Sequence, residues 1–169
     1  MRAVAILPVF ADQILHVDAS GLGVLRAAPS IGSVALMVWM SAHPPERNTG
    51  RILLYAVTGF GLCTIAFALS TSFWLSVALL VCVGAFDAVS VVVRATILQL
   101  QTPDEMRGRV AAANSMFISS SNEIGSLESG VAAKLIGAVP SVVFGGIMTL
   151  IVVGTVAKKA PLLRRLTLS

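Results

Sequence analysis

The sequence predicts an all-α polytopic membrane protein, a bundle of six spans, and three observations predict it. The chain has 169 residues, of which 56% are hydrophobic and only 12% charged. A soluble domain carries about 25% charged residues, so this chain has too little charge to cover a globular surface. Its apolar residues are gathered into runs of bilayer length between short polar connections. Finally, Lys and Arg fall on alternate connections, the pattern that holds one side of a membrane protein in the cytoplasm.

Each span follows from length. A hydrocarbon core about 30 Å thick takes about 20 helical residues at about 1.5 Å each. The first run, AVAILPVFA (3–11), is short, and its helix over 1–15 reads as a truncated span. Arg2 and the VFA tripeptide also fit a secretory signal, but Pro8 inside so brief an apolar region disfavours it. Spans follow over 20–42, 51–70, 73–98 and 109–137, and a minimal one over 139–157. The separators are HPPERNTG (43–50), STS (70–72), QTPDEMRG (101–108) and a turn at Pro140. The bundle thus occupies 1–158, and 159–169 form a basic tail.

Orientation comes from the basic residues. Arg47 and Arg51, then Arg107 and Arg109, then Lys158, Lys159, Arg164 and Arg165 occupy alternate connections. The connections at 12–19, 70–72 and 138–140 contain no Lys or Arg. Both termini are therefore expected in the cytoplasm, with the bundle in the inner membrane. The net charge of +4 is read as belonging to this membrane surface, with no nucleic-acid partner. Trp39 and Trp74 fall near span ends and suit interfacial belts.

Enzyme chemistry is not expected. The sequence has no HExxH, GxSxG or phosphate-loop pattern and no Cys/His metal spacing. Cys63 and Cys82 lie in apolar runs as packing residues, and His16 and His43 are isolated. No cofactor or metal is implied.

The candidate site residues are ionisable groups in the wrong solvent. A charge at mid-bilayer costs about 2.5–3.5 kcal/mol on insertion scales, so it normally faces a cavity or a partner. Counting from span ends puts Asp87 and Glu123 both near the midplane, on adjacent spans. Arg94 follows Asp87 by seven residues on the same helical face. Arg26 lies one to two turns inside a boundary, where snorkelling and a cavity role compete, whereas Lys134 reads as snorkelling. Over 109–137, Ser115, Ser119, Asn122, Ser126 and Ser129 form one polar stripe with Glu123 at its flank. Asn114, Ser121, Gly125 and Glu128 form another roughly opposite. The two glutamates therefore cannot share a site, and the helix must meet protein or water on both faces. Many of these serines are expected to bond their own backbone.

PDEMRGRV (103–110) resembles the loop between helices ten and eleven of major facilitator exporters, and RAAPSIGS (26–33) and the Arg47–Gly50–Arg51 pattern are similar to other parts of that superfamily. SNEIGSLESG (121–130) and PSVVFGG (140–146) resemble the enterobactin, or catecholate siderophore, exporter group and its drug-efflux relatives. The resemblance implies the C-terminal half of a twelve-helix major facilitator fold, matching helices seven to twelve. Helices matching 1–15 and 73–98 would line the cavity, and those matching 20–42 and 109–137 would pack on the other half. The depth of Asp87 and Glu123 suits a substrate or proton pathway, against a buried structural ion pair as the other reading, and Arg94, Arg26, Asn122 and Glu128 are the further candidates for it. Arg47, Arg51, Arg107 and Arg109 would form a cytoplasmic gate or merely enforce topology, and Glu46 stands where the family usually has an aspartate. The expected function is part of a proton-coupled efflux transporter for a small molecule. Its partners would be the bilayer and either a missing N-terminal half or a second copy. The competing expectation is a non-transporting assembly or regulatory subunit.

Overall fold

The computed structural model describes residues 18–42 and 49–159. They form five helices: α1 (Ala19–Ala42), α2 (Thr49–Leu69), α3 (Phe73–Gln101), α4 (Arg107–Ile136) and α5 (Ala138–Lys159), with one 3-10 turn (Asp104–Met106) before α4. The expected truncated span over 1–15 and the tail beyond Lys159 lie outside the described residues.

The helix boundaries have local causes. α2 stops where Ser70 N–H donates to Phe67 O, and Ser72 then opens α3 from an extended conformation (φ −101°, ψ 128°). α3 ends at Thr102, extended at φ −102° and ψ 124°, because the ring of Pro103 excludes a helical residue before it. α4 ends at Gly137, whose φ of 92° lets the chain reverse directly into α5. Pro140 falls in the first turn of α5, where its missing N–H breaks no helical bond.

The six-helix bundle, and with it the C-terminal half-fold, is corrected here. Among the described residues there are five α-helices, and four of them (α1, α2, α3 and α5) are long and apolar enough to cross a membrane. α4 is the exception. Its serines, asparagines and glutamates recur so often between Asn114 and Glu128 that no window of it reaches the apolarity of the other four. The result is an all-α polytopic membrane bundle built on four apolar helices.

The helices pack in an order different from the chain. α3 is central, with α1 on one side and α2 on the other; α2 also packs on α5, and α5 on α4. The core joins Leu25 and Ala28 of α1, Phe67 and Ala68 of α2, Leu80 of α3 and Val142 of α5. It lies toward the end of the bundle that bears the Ser70–Ser72 connection. There Ser76, fully buried, shares a hydrogen bond of 3.0 Å with the Ser70 hydroxyl, and the Ser70 hydroxyl donates to Ser72 O. Replacing Ser76 by Ala removes its bond to Ser70, which keeps its own bond to Ser72 O, and should cost about 0.5–1.5 kcal/mol in a denaturant titration of the chain in detergent.

The α1–α3 crossing brings backbones into contact at two glycines. A Cβ on Gly32 of α1 would collide with the carbonyl of Val81, and one on Gly84 of α3 with the carbonyl of Pro29. Ser33 Oγ spans the same crossing, 2.9 Å from both Pro29 O and Gly84 O. Small residues let apolar helices approach where lipid supplies no hydrophobic drive between them.

Candidate functional site

α3 has 29 residues, about 43 Å at helical rise. Asp87 stands fourteen residues from Phe73 and fourteen from Gln101, at its middle. Its surroundings are set by the residues just before it. Gly84 is pressed against α1 at Pro29, and the Phe86 ring lies over Gly59 of α2, where an added Cβ would come within 2.7 Å of ring carbon Cζ. Asp87 therefore emerges beside a position gripped by both neighbours, and it is half-buried. Val91 and Arg94 continue its stripe at i+4 and i+7, and both are exposed. Arg94 Nε donates to Ser90 O at 3.1 Å, turning back onto its own helix instead of reaching Asp87.

Glu123, Asn122 and Glu128 lie on α4, and all three are exposed. From Ala111 to Ile124 every residue of α4 is exposed, so that stretch of both polar stripes is uncovered; Gly125, in the second stripe, is buried. α4 packs on α5 and on the 3-10 turn. It forms no packed interface with α3, so Asp87 and Glu123 share a depth on the sequence but not a pocket. Arg26 is on the exposed side of α1.

Several hydroxyls in the spans serve their own helix. Thr58, Thr64, Thr96, Thr149 and Thr155 each donate to the carbonyl four residues back, at 2.7 to 2.9 Å. Ser126 Oγ donates to the carbonyl three residues back, Glu123 O, at 2.8 Å. The protons of these hydroxyls are spent on backbone carbonyls.

At the expected gate, Arg107 pairs with Asp104 at 2.8 Å across the 3-10 turn and reaches Thr102 O at 3.4 Å. The pair fastens the α3–α4 connection to itself. Both side chains are more than half exposed, so Asp104→Asn should change stability by no more than about 0.5 kcal/mol in a chemical melt. Arg51 and Arg109 are exposed on α2 and α4, which do not pack together, and Arg47 lies outside the described residues. Among the described residues no group of three or more His, Cys, Asp or Glu could hold a metal.

Sequence reading missed the α1–α3 crossing. The available signal was the small-residue run AAPSIGS (27–33) and the Gly84–Ala85 step inside the apolar run of 77–86.

A family model described as transmembrane secretion effector matches residues 1–165. The enterobactin exporter EntS of Citrobacter koseri is 33% identical over 97 residues, which covers 56% of this chain and 23% of that exporter. The match thus spans under a quarter of that relative's length. No solved structure matches the chain.

Proposed function

From its family, the transmembrane secretion effectors of the major facilitator transporters, to which this chain belongs, we propose that it forms part of a secondary-active efflux transporter of the inner membrane. The observation that carries this reading is a half-buried carboxylate, Asp87, at the middle of the most enclosed apolar helix. An ionisable side chain at that depth normally faces a cavity, water or a partner, which suits a place on a proton pathway. Arg94, Asn122, Glu123, Glu128 and Arg26 are proposed to line the route once α4 is covered. Arg47, Arg51, Arg107 and Arg109 are proposed to mark its cytoplasmic mouth, with both termini on that side.

The likeness to an enterobactin exporter supports a catecholate siderophore, or another amphipathic small molecule, as cargo. The uncovered faces of α1 and α4 support a further membrane partner, either an N-terminal bundle or a second copy. Their Ile31, Val34, Val38, Met116, Phe117 and Leu127 are all exposed.

The separation of Glu123 from Asp87 favours a second reading, a non-transporting assembly or regulatory subunit. Transport decides between them. Proteoliposomes holding the chain with its membrane partner should accumulate an enterobactin-like catecholate under an imposed pH gradient, and a protonophore should abolish the uptake. Uptake that ignores the gradient removes proton coupling; no uptake and no binding leave the subunit reading.

A further inference from the structure

We infer that the groove between α2 and α5 holds the headgroup of an acidic phospholipid, bound between Arg51 and Lys158 in the leaflet on that side. The register of the two helices carries the inference. They are antiparallel, and Gly61 of α2 faces Gly146 and Leu150 of α5, while Gly146 faces Ile65. Ten residues back from Gly61 is Arg51; ten on from Gly146 and Leu150 are 156 and 160, a window that contains Lys158. The two cations therefore end their helices at one level.

Rotation puts them on one side. Arg51, Tyr55 and Leu62 recur at i, i+4 and i+11, a single stripe bordering the edge that packs on α5. Ile151, Gly154 and Lys158 recur at i, i+3 and i+7, a single stripe bordering the edge that packs on α2. In an antiparallel pair the same sense of rotation carries both stripes to the same flank. All six residues are exposed, Tyr55 at 74%. Gly154, with nothing within 4 Å of where its Cβ would be, leaves a notch near the level of Tyr55.

The chemistry fits a lipid better than a soluble anion. Neither α2 nor α5 contains an acidic residue to answer these cations, whereas Arg107 is already answered by Asp104. Below the charges the stripe is apolar, with Leu62 and Ile151 more than half exposed to hydrocarbon. Phosphate on Arg51 and Lys158, the Tyr55 hydroxyl at headgroup depth and acyl chains along Leu62 and Ile151 would satisfy each group in turn. Arg51 then has a binding role apart from any gate.

The test uses the full chain in nanodiscs of mixed phosphatidylcholine and phosphatidylglycerol, with retained lipid counted by native mass spectrometry after transfer to detergent. Each basic group near a membrane surface is worth about fivefold in acidic-lipid affinity, so R51Q/K158Q together should lower phosphatidylglycerol retention about 25-fold. Lys134→Gln, the same charge loss on α4 far from the groove, should leave retention unchanged. Gly154→Leu keeps both charges and fills the notch, and it too should reduce retention. Equal loss in K134Q and R51Q/K158Q would mean general charge attraction and overturns the site. Full displacement by inorganic phosphate at equal concentration would make it a free-anion site and overturns the lipid assignment.

Discussion

Replacing Gly84 by Leu should unfold the α1–α3 pair, with a loss of at least about 3 kcal/mol. The added side chain would have to occupy the space of the Pro29 carbonyl. Backbone cannot step aside as the end of a flexible side chain can, so the helices must separate, and overpacking alone costs about 1–3 kcal/mol even in forgiving sites. Separation also breaks the bond from Ser33 to Gly84 O and opens the core at Leu25, Ala28 and Leu80. Gly84→Ala should show the same effect at reduced size, and Gly32→Ala should match it from the other helix. Gly23→Ala is the control. Nothing lies within 4 Å of its added methyl, and alanine is about 0.8–1 kcal/mol better than glycine inside a helix. It should be neutral or stabilising. The measurement is unfolding of detergent-solubilised chain by SDS, followed by circular dichroism. Equal stability of Gly84→Leu and the unmodified chain would show that the two backbones are not in contact.

The second large effect belongs to Asp87, and it has opposite signs on two readouts. Asp87→Leu should raise the stability of the chain by about 1–2 kcal/mol, because a carboxylate near mid-bilayer costs about 2.5–3.5 kcal/mol on insertion scales and Asp87 is only half-buried. The same substitution should abolish proton-driven uptake by the assembled transporter. Asp87→Asn, which keeps the shape and removes the titration, should abolish uptake with little change in stability. A structural ion pair predicts the reverse: removing one partner leaves the other charged and costs several kcal/mol. Arg94, the cation on the same stripe, is engaged with Ser90 O instead, which is why stability should rise. Asp87→Leu that both destabilises the chain and leaves uptake intact would remove Asp87 from the pathway.

The sequence made some elements plain and hid others, for identifiable reasons. Runs such as FWLSVALLVCVGAF in α3 announce a span because their apolar length is itself the cause of the structure. The Asp87 position could be counted for the same reason, since helical rise turns residue number into depth. α4 misled the count. Its length and flanking turns resemble a span, but the polar stripes between Asn114 and Glu128 take it below the apolarity of its neighbours. Pairing was also hidden. Asp87 and Glu123 match in depth, yet depth carries no information about which helices touch, and α3 turns its sides to α1 and α2. Arg94 shows the same limit at smaller scale: spacing puts it on Asp87's face, while its guanidinium prefers a carbonyl one turn away. The glycine crossing needed the knowledge that two particular helices meet.

The order of packing has a temporal consequence. α1 leaves the ribosome well before the helix it packs on, α3, which is completed only at Gln101. At roughly 5–20 residues per second, the 59 residues from Ala42 to Gln101 take about 3–12 s to make. Through that interval Gly32 and Pro29 have no mate from their own chain, and α2 arrives before α3 without filling the place. A nascent chain halted near residue 70 should therefore expose α1 to cross-linking by lipid or insertase, and one released past residue 101 should not.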